Sequence, residues 1–120
     1  MFNINKNFQR LNKDAVMPYK EGSWYNLLSC NEVYIPPNNK SEIVSTGIAV
    51  KIPKGYIGIC IINEDLANKY CFHVSDGLKI LAGNELHQLD LLIVNQDKGT
   101  HVISKNMPFA KLIIIKAKTL

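Results

Sequence analysis

The residues that could do chemistry here are three histidines, three cysteines, a lone tryptophan and a spread of lysines. His73, His87 and His101 have no spacing that suits metal ligation, so they read as edge-strand or surface residues. Cys30, Cys60 and Cys71 are odd in number and contain no CxxC, which makes them structural thiols of a reducing compartment. Ser45 and Thr46 have no base beside them in the sequence. The formal charge of +4 is carried by lysine, since Arg10 is the sole arginine. The lysines are dispersed, which describes a solvated face and argues against a nucleic-acid groove. Trp24 has three readings: core packing, a plug in a pocket, or an anchor for a protein partner, a role in which tryptophan is enriched.

Short strands must position these residues. The expected strands cover 2–10, Ser23–Leu28, Val33–Ile35 and Glu42–Ile52, the last bent at Gly47. Ile57–Ile62 is a continuous apolar run, expected to be buried on both faces. Leu11–Glu21 reads as a connecting arm and Asn63–Lys69 as a turn or a single helical turn. Tyr70–Val74 follows as a strand. Leu78–Leu81 and Leu86–Leu89 form an expected hairpin with Gly83-Asn84 at its tip. Asp90–Asn95, His101–Ser104 and Leu112–Ala117 complete the set. No helical period is visible, so the pattern is all-β, a sandwich or barrel. The chain length suits one domain, residues 1–120, with one core. No apolar run is long enough for a membrane span, and the N-terminus lacks a signal-peptide core, so the expected location is cytoplasmic.

The run Ile35 to Gly58, IPPNNKSEIVSTGIAVKIPKGYIG, resembles the trimeric dUTPase family, which reads IPP, then TGIAV, then IP-x-GY-x-G. The resemblance extends over most of the chain. The family's first motif, A-G-x-D-L, falls on Ser23-Trp24-Tyr25-Asn26-Leu27. The second, P-R-S-G-L-A, falls on Ile62-Asn63-Glu64-Asp65-Leu66-Ala67. The third, G-V-I-D-x-x-Y-R-G, runs from Lys79 to His87, and the fourth, G-D-R-I-A-Q-L, from Asn106 to Leu112. The glycine-rich fifth motif has no counterpart within residues 1–120. The resemblance implies a distorted jelly roll of the β-clip type that assembles as a homotrimer.

It also implies a site whose chemistry has been replaced. The third-motif aspartate that activates the attacking water is Ala82, which accepts no proton. The first-motif aspartate that helps hold Mg2+ is Asn26, a weaker ligand for a hard cation. The phosphate-binding arginine and serine of the second motif are Asn63 and Glu64, followed by Asp65, and two carboxylates repel a polyanion. The tyrosine under the deoxyribose is Glu85, and the fourth-motif glutamine is Lys111. The deaminase branch of the fold needs a glutamate with an arginine, and Glu85 has no arginine near it in sequence.

The reading is therefore a catalytically inactive dUTPase-fold protein that works by binding, viral or phage-encoded, with a protein partner and no cofactor. A salt bridge from Glu64 or Asp65 to Lys111 across a subunit interface would replace the phosphate. The alternatives are a dUTP diphosphatase of weak or altered activity, with Mg2+, or a nucleotide or nucleoside binder. Such a binder would use the main chain at Leu81, Gly83, Asn84 and Glu85, with Trp24 nearby.

Overall fold

In the computed structural model, which describes residues 2–118, the elements run in the order α1 (Ile4–Asn7), β1 (Phe8–Arg10), β2 (Tyr19–Glu21), β3 (Trp24–Leu28), β4 (Val33–Ile35), β5 (Lys40–Ile52), β6 (Tyr56–Ile62), α2 (Glu64–Tyr70), β7 (Phe72–Val74), β8 (Lys79–Leu81), β9 (Glu85–Asn95), β10 (His101–Ile103) and β11 (Pro108–Lys116). Two antiparallel sheets result, with orders β1-β5-β9-β7 and β2-β3-β11-β6-β8, and β4 pairs with β10 as a separate ribbon. The all-β expectation holds.

The long strand β5 pairs with β9 along its length, broken by a register shift between Ser45 and Ala49. Gly47 sits in this bulge with φ +67°. A Cβ there would meet Asn12 Nδ2 at 2.8 Å and Ala15 Cβ at 2.9 Å, so glycine is required by both backbone and neighbours. The Thr46 hydroxyl donates to the Leu89 carbonyl at 2.9 Å and restores a bond the ladder lost at the bulge. Period-two alternation turns Leu89, Leu91 and Ile93 of β9 inward, where they meet Leu27, Cys60, Phe109 and Leu112 of the other sheet. Each such side chain contributes about 1.5–3 kcal/mol on burial.

Five expectations need correction. Residues 2–10 are not one strand: the Asn7 amide accepts from the backbone of Asn3 and donates to Lys51 O, fixing a helical turn before β1. The arm contains β2, which folds back on β3 through Gly22 at φ +60°. Ile57–Ile62 is not buried on both faces, because only Gly58 and Cys60 of β6 are buried while the isoleucines stay half-exposed. Asn63–Lys69, expected as a turn or a single helical turn, is helical but longer, forming the seven-residue helix α2 with Asn63 as its cap. Asn63 caps it by accepting from Asp65 N at 2.8 Å, Glu64 and Asp65 complement the N-terminal dipole, and Cys71 ends it at φ +57°. The strand expected from Tyr70 consequently starts at Phe72.

The fifth correction bears on the site. The expected hairpin at Gly83-Asn84 does not exist, because β8 pairs with β6 in one sheet and β9 pairs with β5 in the other. The turn residues are as expected, with Asn84 at φ +62°, but the turn passes the chain between sheets. Asn84 N donates to Ile52 O at 2.7 Å, and Gly83 lies so close to Tyr56 O that a Cβ would stand 2.3 Å from it. Those contacts tie the corner to the end of β5 and the start of β6, which pulls β9 away from β8.

Candidate functional site

Strand register collects four of the replaced family positions into one corner. β11 lies between β3 and β6, and Lys111 pairs with Asn26 on one side and Ile61 on the other. β6 leads directly into α2, whose entry is fixed by Asn63 N donating to Phe109 O at 2.9 Å. Glu64 therefore begins the helix beside Lys111. Lys111 Nζ lies 3.8 Å from Glu64 Oε1 and 4.1 Å from the centroid of the Trp24 ring.

Behind the ring the contacts continue. Trp24 Nε1 donates to Asn26 Oδ1 at 3.2 Å, and Asn26 Nδ2 donates to Glu21 Oε1 at 3.0 Å. Asn26 is buried, Lys111 is 15% exposed and Glu64 is 81% exposed. The ammonium thus sits against a ring and under a solvated carboxylate. Its cation–π contact is worth about 0.5–2 kcal/mol, and the exposed ion pair adds little. Asp65 is exposed on the same helical turn. Glu64 and Lys111, expected to pair across a subunit interface, meet within one chain, because β6, α2 and β11 are neighbours in the same fold.

The second group lies at the corner between β8 and β9. Leu81 is buried, Ala82 is exposed, and Gly83, Asn84 and Glu85 lead into β9. His87 Nε2 lies 2.9 Å from Ala82 O and 3.8 Å from Glu85 Oε2. With Asn84 N engaged by Ile52 O, two main-chain groups of the expected ligand-reading stretch already have partners inside the chain. Trp24 is not near this corner. Lys111 pairs with Ile61 while Leu81 pairs with Gly58 on the other flank of β6. Strand geometry separates the two groups by roughly 15 Å. One copy of the chain does not bring Ala82 to Lys111.

The donor set at Asn26 does not fit Mg2+. Its Oδ1 accepts from Trp24, an ammonium stands over that ring, and the described residues hold no group of three His, Cys, Asp or Glu arranged for a metal ion. His101 Nε2 lies 2.7 Å from Asp97 Oδ2 and its ring stacks on Tyr70 at 4.3 Å. The Cys60 thiol is pushed up to about 12 by burial, which keeps it unreactive.

Two contributing residues escaped sequence reasoning. Glu21 was placed in an irregular arm, yet Gly22-Ser23 before Trp24 was a hairpin signal that would have set Glu21 opposite Trp24. His87 follows Glu85 by two residues on one strand, which puts both on the same face.

No protein-family model matches the chain. The deoxyuridine 5'-triphosphate nucleotidohydrolase of Fowlpox virus is 36% identical over 110 residues, covering 89% of this chain and 74% of that protein. A point mutant of the dUTPase of Staphylococcus bacteriophage 80alpha, solved with dUpNHpp, has the same fold, with TM-score 0.84 and 21% identity over 94% of this chain and 91% of that one. A point mutant of the dUTPase of phage phi11 of S. aureus, described with a structural Mg(II) ion, gives TM-score 0.83 and 19% identity over 94% and 91% of the two chains. An interrupted β5, the IPP-to-GYIG framework and this identity to the poxviral enzyme agree: the chain belongs to the dUTPase family.

Proposed function

We propose that this is a dUTPase-fold protein that does not hydrolyse dUTP and acts by binding a protein partner. The observation carrying the reading is Lys111, whose ammonium is held by Trp24 and Glu64 where the family resemblance puts phosphate contacts. An internal ligand already fills that corner. Ala82 adds a second deficit, since a methyl group cannot take a proton from water. The poxviral and phage relatives support a viral or phage origin, and with it a place in the cytoplasm of a host cell.

The reading includes a homotrimer of single-domain subunits. The isolated chain exposes 7043 Å2, against about 6500 Å2 expected for a monomer of this mass. Ile43, Leu78, Ile80 and Leu92 are exposed together around a groove of about 480 Å3 at the edge strands β7 and β8. Such apolar surface calls for cover, and a second copy there would also approach the Ala82 corner.

The test is pyrophosphate release from dUTP with Mg2+. The expected result is no release above a protein-free control. Turnover above that control would overturn the proposal and leave a working enzyme.

A further inference from the structure

The lysines that are dispersed along the sequence are not dispersed in the fold. At the end of β5 the Asn7 side chain donates to Lys51 O at 2.9 Å, which brings the neighbouring Lys6 up to Lys51. Lys54 then occupies the turn into β6, closed by Tyr56 N donating to Pro53 O at 3.1 Å. β11 ends against the same turn: Lys116 pairs with Tyr56, and Ala117 N donates to Gly55 O at 2.7 Å. Lys54 and Lys118 therefore each stand one residue from that bond. Lys20 of β2 completes the group, since it shares with Tyr56 and Ile114 the lining of a depression of about 360 Å3. All six lysines are exposed, and none of them forms an ion pair with a described residue.

The carboxylates bordering this end are turned to other partners. Glu85, opposite Ile52, lies 3.8 Å from the His87 ring, and Glu21 accepts from Asn26 Nδ2 at 3.0 Å. The opposite end of β5 is mixed, with Lys40 and Lys98 beside Glu42 and Asp97. Gathering like charges costs folding free energy, and no ion pair among the described residues offsets it here, so the surface is complementary to a polyanion outside the chain. Lysine is a point charge on a flexible stem, suited to phosphate oxygens along a backbone and unsuited to the bidentate reading of a base. The rings among these lysines, Tyr25 and Tyr56, are half-buried and offer no platform for an unpaired base. The exposed apolar residues next to the group, Leu86 opposite Lys51 and Ile115 before Lys116, lie on different sheets and form no single wedge for a bilayer.

We propose that this lysine-rich end binds the phosphate backbone of double-stranded nucleic acid without reading its sequence. The stems of Lys6, Lys51, Lys54, Lys116 and Lys118 reach successive phosphates, and Lys20 extends the contact along β2. With about four phosphates neutralised, affinity falls roughly a hundredfold between about 50 and 200 mM salt. The surface is separate from the Lys111 corner and does not depend on whether the chain hydrolyses dUTP. It lies at the other end of β5 from Ile43, so a second copy covering the apolar groove leaves it open.

The probe is a fluorescent DNA duplex of ~20 base pairs, titrated with the full chain and read by anisotropy between about 50 and 200 mM NaCl. Two variants carry the same loss of charge. Lys51→Gln, Lys54→Gln, Lys116→Gln, Lys118→Gln strips the proposed surface, and Lys13→Gln, Lys40→Gln, Lys98→Gln, Lys105→Gln strips exposed lysines elsewhere. The first is expected to lose at least about tenfold in affinity and to flatten the salt dependence, and the second to lose at most about threefold. Unchanged Trp24 emission reports an intact fold in both. Equal losses in the two variants overturn the surface and leave an effect of net charge. No binding at the lowest salt, tighter binding to a single strand of the same length, or capture by phosphatidylserine vesicles without response to the duplex overturns the partner.

Discussion

The ammonium of Lys111 sits 4.1 Å from the ring centroid of Trp24, so two positions that the family separates into its first and fourth motifs act here as one unit. Trp24 is the only tryptophan in the chain, which makes its emission a direct reporter of that contact. Replacing Lys111 by Met should shift the emission and lower stability by about 0.5–2 kcal/mol. Urea unfolding followed at the tryptophan band checks both. An unchanged spectrum and midpoint would mean the contact is incidental.

Restoring a carboxylate by Ala82→Asp should not restore turnover. The variant regains a proton acceptor, yet the Lys111 corner stays filled by Trp24 and Glu64. The pyrophosphate-release assay with dUTP and Mg2+ should remain at background. If the single substitution gives measurable hydrolysis, Lys111 does not block the phosphate contacts.

Gly47→Ala should be among the more damaging single substitutions. The left-handed backbone costs about 1–2 kcal/mol for a residue with a Cβ. Contacts of 2.8 Å and 2.9 Å to Asn12 and Ala15 add an overpacking penalty, so the total should reach about 2–4 kcal/mol. Chemical unfolding of the variant beside Gly55→Ala, where a Cβ meets nothing within 4 Å, separates packing from backbone strain.

Asp97 gives the chain an acid-sensitive latch. Its hydrogen bond from His101, together with one from the Lys98 backbone, holds its carboxyl below the usual carboxylate range. A carboxyl depressed by folding stabilises the native state above its unfolded pKa, about 3.9. That contribution disappears as pH falls through the lower, folded value. Wild-type protein should therefore lose stability from about pH 5 downward, and Asp97→Asn should show a flatter acid limb. Thermal unfolding across that range is the measurement, and parallel curves for the two proteins would remove the latch.

The thiols should react in order of exposure. Cys60 is fully buried and its pKa lies near 12, so a thiol reagent at mildly alkaline pH should leave it untouched in the folded state. Cys71 is exposed and Cys30 half-buried. Mass spectrometry after brief alkylation should find label on Cys71 first. Label on Cys60 at the same rate would indicate an opening of the core.

What could be read from the residues alone depended on whether the signal was local. The bend at Gly47 was legible because backbone chemistry declares it in a few residues. Helix α2 was legible only as a turn or a single helical turn, since its capping by Asn63 and its left-handed end at Cys71 extend a stretch too short to show a period. The false hairpin at Gly83-Asn84 has a different cause. Turn residues state that the chain reverses, and partner choice is decided by contacts with Ile52 and Tyr56, which are distant in sequence. For the site, the replaced positions were identifiable, but their meeting around Lys111 required the register of three strands.

The transfer of the chain from β8 to β9 has a mechanical side. Ala82 to Asn84 acts as a bracket between the two layers, anchored by Asn84 N to β5 and by Gly83 to the start of β6. Sliding one layer over the other must stretch this bracket, so the layers are expected to keep their alignment until it yields. The surface that spans the two layers near Ala82 is thereby presented on a stiff frame.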